Sequence, residues 1–166
     1  MTPPAPTHPS DPKRELFRHT LATLAYRGGK TLRHAPAGFA DFRGGEGLRT
    51  PGQILAHMGD LLDWALSIAA GQQKWQDSKP MPWDQEVERF FAVLKKFDDF
   101  LASPEAVQAP FEKLFQGPVA DALTHVGQIA ILRRMAGAPI KGENYHKAEI
   151  QVGRVGADQA TPKREF

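Results

Sequence analysis

The sequence predicts an all-α protein: a four-helix bundle with a long connection between its first two helices and an irregular C-terminal tail. Three observations carry that expectation. Four segments repeat apolar residues at helical spacing between start and stop signals, no stretch alternates as a strand would, and the connections are unequal in length.

The first helix is expected over residues 12–34. Asp11 is a capping residue, Pro12 suits the first helical position, and Leu16, Phe17, Thr20, Leu21 and Leu24 recur on one side. Gly28-Gly29 weakens its last turns, which either stop there or continue, kinked, towards Pro36. Residues 38–49, GFADFRGGEGLR, read as the long connection. Thr50-Pro51-Gly52-Gln53 opens the second helix with a capping Thr, a Pro in first position and a Gln placed to answer the cap. Ile54, Leu55, Leu61, Leu62, Ala65 and Ile68 form its apolar face up to Gly71, and polar residues 72–83 cross the surface to the next element. The third helix, 84–103, sets Val87, Phe90, Phe91, Leu94, Phe97 and Leu101 on one side with charges between them. Pro104, Pro110 and Pro118 punctuate a link expected to be irregular. The fourth helix then spans 117–137, from a Gly-Pro break to Gly137, with Pro139 beyond. From Lys141 onward the chain reads as a tail packed across the bundle.

With 166 residues, 41% hydrophobic and 24% charged, the chain suits one domain. That domain is expected over 12–166, after a disordered or draped leader, 1–11, in which Pro3, Pro4, Pro6 and Pro9 oppose regular structure. The 21 Lys+Arg against 19 Asp+Glu leave a net +2 without a basic block, which argues against a nucleic-acid partner. No apolar run approaches the roughly 20 residues of a membrane span. The absence of Cys excludes disulfides, thiolate ligands and a Cys nucleophile and fits the cytoplasm, so any thiol chemistry must use a borrowed thiol.

One feature of the fourth helix is out of keeping with its apolar character. Asp121, His125 and Gln128 are spaced so that a helix, at roughly 100° per residue, gathers them into a stripe on one side. A carboxylate buried there would require an opposite charge, hydrogen bonds or a cation. Imidazole and carboxylate four residues apart converge on one point, and His57 of the second helix is placed to supply a third donor. Three protein ligands, His57, Asp121 and His125, with an open position form the donor set of a catalytic divalent metal. The same residues could instead form a hydrogen-bonded network that fixes helix register without an ion. Gln128 is expected to orient a ligand or to bond backbone. Asp60, on the His57 face, is a further candidate ligand, set against a role as partner of an Arg or Lys. Arg133-Arg134 suit the negative end of their own helix dipole.

Two stretches, TPGQILAHMGDLLDWAL at 50–66 and GPVADALTHVGQIAILRRMAG at 117–137, resemble the DinB/YfiT-like metalloenzymes, helical bundles with a metal site between helices. The helix order matches as well, so the resemblance extends over nearly the whole chain after the leader. In the family pattern three histidines hold the metal. His57 and His125 match two of them, and Asp121 stands in place of the other. The resemblance implies a divalent ion, zinc or nickel foremost, with a carboxylate also compatible with manganese or iron. In the tail, Glu143 and His146 are candidates to complete or close the site. Family members with known activity include bacterial transferases whose metal activates a low-molecular-weight thiol. The expected function is therefore attack of such a thiol on a small electrophilic substrate. A metal-dependent hydrolase and a non-catalytic metal-binding or structural bundle are the alternatives. Relatives often pair through helix faces, so a homodimer is compatible.

Overall fold

A computed structural model describes residues 11–166. The expected leader, but for Asp11, lies outside the described residues. Among those described, the chain is helical without strands, apart from one isolated bridge between Glu143 and Glu165. The long helices are α1 (Pro12–Leu32), α2 (Pro51–Ala69), α3 (Trp83–Ala102) and α5 (Ala120–Met135), with a single-turn α4 (Phe111–Leu114) before the last.

Local signals account for the starts. The Asp11 carboxylate accepts from the Lys13 amide at 3.0 Å. Thr50 and Gln53 close a reciprocal capping box, Gln53 N donating to Thr50 Oγ1 and Thr50 N to Gln53 Oε1. α1 runs through Gly28-Gly29 because other helices pack there. A Cβ on Gly28 would lie 2.9 Å from Phe90 Cζ, so the missing side chain makes room for the α3 aromatic.

The expected break at Gly117-Pro118 does not occur. α4 passes into α5 through a π-helical turn, Phe115–Val119, that contains Pro118. A proline in a regular helix loses its amide bond and collides with the carbonyl four residues back; the wider turn relieves both problems without ending the helix. The irregular link is correspondingly shorter than expected.

α2 packs against α3 and α5, and α1 packs against the same two helices, which sets α1 and α2 diagonally across the bundle. The long connection is thereby explained, since it must cross one end of the bundle. Phe39, on its 3-10 turn Phe39–Asp41, is buried there, edge-on to Trp83 at 5.3 Å. The core is Leu21, Leu24, Leu55, Met58, Leu62, Phe90, Leu94, Phe97 and Ile129 with their neighbours. The tail is pinned to α1: Glu143, buried, accepts from the Tyr26 hydroxyl at 2.6 Å and from Lys30 Nζ at 2.7 Å, and Lys30 also reaches Glu165 at 2.9 Å. Among the described residues, no helix is long and apolar enough to cross a membrane.

Candidate metal centre

The seam between α2 and α5 brings His57, Asp121 and His125 together, with one donor atom from each lying within 4.8 Å of the others. His57 comes from the middle of α2, and Asp121 and His125 share one side of α5, a turn apart. His57 Nε2 is 3.6 Å from one Asp121 oxygen, and His125 Nε2 is 3.4 Å from the other. The two imidazoles meet edge to face, with centroids 5.0 Å apart.

Both nitrogen–oxygen separations exceed the usual range for a good hydrogen bond. Each is close to the roughly 3.4 Å between two donors on one tetrahedral ion with bonds of about 2.1 Å, and the two run to different oxygens of the carboxylate. Two imidazoles and one carboxylate gathered in this way are a donor set that could hold a metal ion.

Burial divides the three. His125 is buried and His57 is 20% exposed at its side chain, whereas the Asp121 carboxylate is 47% exposed. Asp121 therefore sits at the mouth of the seam, open to solvent, and the desolvation cost expected of a buried carboxylate does not arise. His57 is held below the usual histidine pKa, first by burial and then by the positive charge of Arg49 and by His125, with Asp121 acting in the opposite sense. It is thereby biased towards the neutral, ligating form.

Gln128 stands one turn after His125, its Oε1 2.7 Å from His125 Nδ1. Imidazole Nδ1–H donating there leaves Nε2, the nitrogen facing Asp121, with the free lone pair.

The other sequence candidates lie elsewhere. Asp60 is buried and fully engaged: Ser78 donates its amide at 2.8 Å and its hydroxyl at 2.7 Å, and Arg89 donates through Nη2. Its oxygens are thus used to tie the 70–82 connection to α2, and the partner role replaces ligation. Glu143 is held on α1 by Tyr26 and Lys30, and His146 is exposed on the 3-10 turn Tyr145–Lys147; neither joins the group. The tail that carries these two candidates is anchored on α1. Arg133 does not serve its own helix alone. Its guanidinium donates to the carbonyls of Thr31 in the last turn of α1 and of Arg33 and His34 just after it, and its Nε to that of Ala138.

Several site neighbours had no signal in the sequence. Trp75, from the connection that Asp60 ties down, stands edge-on to His57 at 5.8 Å and to Trp64 at 5.7 Å. Arg49 and Leu48, from the long connection, border an open cleft of about 620 Å³ beside His125 and Gln128, completed by Ile54, Ile131 and Met135 among others. Both sets come from loops whose positions depend on contacts distant in sequence. No protein-family model, curated protein or solved structure matches this chain.

Proposed function

We propose that this protein is a metal-dependent enzyme acting on a small molecule, with His57, Asp121 and His125 holding a divalent ion, zinc or nickel. The observation that carries this reading is the convergence of two imidazoles and one carboxylate from α2 and α5, with one donor atom of each within 4.8 Å of the others. Three protein donors leave coordination positions free, and the half-exposed Asp121 opens them to solvent. A bound ion would act as a Lewis acid, lowering the pKa of a thiol or water that reaches it.

Of the chemistries this permits, we favour transfer of a low-molecular-weight thiol to an electrophilic small molecule. The DinB/YfiT-like resemblance supports it, and the cleft beside His125, about 620 Å³, falls within the size range of small-molecule sites. The chain's own groups have assignable parts. Gln128 holds the His125 tautomer, Trp75 shields one side of the His57 ring, and the side chains of the cleft receive the apolar part of a substrate.

The test begins with protein stripped by a chelator and dialysed against zinc or nickel. Elemental analysis should find one ion per chain, while His57→Ala and His125→Ala should hold none and keep their helical circular dichroism. An unmutated protein that takes up no metal defeats the reading. With metal bound, consumption of a small thiol in the presence of an activated aryl halide should require the ion. Metal uptake without thiol consumption would leave the centre and remove the transferase.

A further inference from the structure

The cleft beside His125 has an uneven character. Its walls are apolar, and three of its side chains are large hydrophobics left in water: Leu48 at 55%, Ile131 at 57% and Met135 at 51% exposed. Exposed residues of this kind are unremarkable singly, but here they share one concavity with His125. At its rim stands one cation, Arg49.

Arg49 differs from the guanidiniums that serve the fold. Arg18 is ion-paired to Asp98 and Arg89 to Asp60, while Arg14 and Arg133 donate to backbone carbonyls. Among the described residues, no carboxylate or side-chain hydrogen bond engages Arg49. It borders both the cleft beside His125 and a second one, about 380 Å³, that contains His57. It also directly precedes the capping Thr50, at the positive end of the α2 dipole. Five donors in a planar fork, free of protein partners and next to hydrocarbon, suit a carboxylate better than any neutral group.

We propose that Arg49 is the specificity-determining residue of this site: it binds the carboxylate of a small substrate whose apolar body lies along Leu48, Ile54, Ile131 and Met135. The inference rests on the reading of the seam as a small-molecule site. It deepens that reading by naming the substrate class as an amphipathic carboxylic acid.

The experiment titrates butyrate, hexanoate and hexanamide into metal-free and metal-loaded protein, followed by amide NMR shifts at Leu48, Gly127 and Met135, with metal content measured separately. Hexanoate should bind more tightly than butyrate, by about three- to four-fold per methylene for the part of the chain that enters the cleft. Arg49→Gln should weaken hexanoate by about ten-fold or more, leave hexanamide unchanged and keep the metal content of the parent. Ile131→Asp, a change at an exposed position, should flatten the chain-length dependence. Equal binding of hexanoate and hexanamide, or hexanoate binding untouched by Arg49→Gln, overturns the proposal. Should the protein bind no metal, the enzyme reading falls, and the Arg49-dependent preference is still read in the metal-free protein. Should metal bind while the preference ignores Arg49, this inference alone fails.

Discussion

His125 and Gln128 are joined by a 2.7 Å contact between Nδ1 and Oε1, one helical turn apart on α5. An amide oxygen can only accept, so this contact calls for a proton on Nδ1, and in the neutral ring it leaves the Nε2 lone pair facing Asp121, 3.4 Å away. The structural tie and the ligand geometry are therefore the same contact. Gln128→Leu, similar in size but unable to accept, should weaken zinc binding by about 10- to 100-fold with helical content unchanged. Competition against a chromogenic chelator reads the change, and undiminished affinity would mean that Gln128 does not orient His125.

Asp121 is the position at which the chain departs from a three-histidine pattern, and its side chain is also the most open of the triad. Asp121→Ala should abolish stoichiometric uptake. Asp121→His, which supplies an imidazole from the same turn, should tighten zinc and nickel relative to the parent. The chelator competition again measures it. If Asp121→His and Asp121→Ala both bind as the parent does, Asp121 never touched the ion.

The depressed pKa of His57 fixes the direction of pH dependence. Because its folded value lies below the unfolded one, the unfolded chain takes up its proton first as pH falls, and the folded state loses stability below the ordinary histidine range, about 6.5. Ligation demands the neutral ring, so metal retention declines in the same direction. Metal-free protein should therefore melt at a lower temperature at pH 5.5 than at pH 7. His57→Gln should reduce that difference, and scanning calorimetry at the two pH values would show whether it does.

What could be read from the sequence follows the range of the interactions involved. The Thr50–Gln53 box and the four-residue spacing of Asp121 and His125 are local or helical facts that the structure retains, whereas His57 joins them only through the packing of α2 against α5. The continuity of α4 into α5 could not be read, because Gly-Pro ordinarily ends a helix and the π-helical turn that absorbs it depends on packing against α2. Asp60 was open to two readings on sequence grounds. Its partners, Ser78 and Arg89, lie 18 and 29 residues away, and only their approach shows its oxygens to be occupied. The same holds for Arg49 and Trp75, which periodicity does not place because they belong to loops.

Arg133 provides a test of the fold that is independent of the metal. It lies eight residues beyond His125 on α5, roughly 12 Å along the helix, and is buried at 5% exposure. Its donors satisfy the carbonyls of Thr31, Arg33 and His34, where α1 ends and His34 takes a φ of 55°. Those carbonyls have no further turn of helix to accept from, so the guanidinium acts as a cap supplied by another helix. Arg133→Met fills much of the volume but leaves the acceptors without a donor, and should cost about 3 kcal/mol in urea unfolding. Arg133→Lys keeps the charge without the planar fork and should recover only part of that loss. Metal uptake per folded chain should be unchanged in both variants. A variant as stable as the parent would mean that water satisfies the end of α1 equally well.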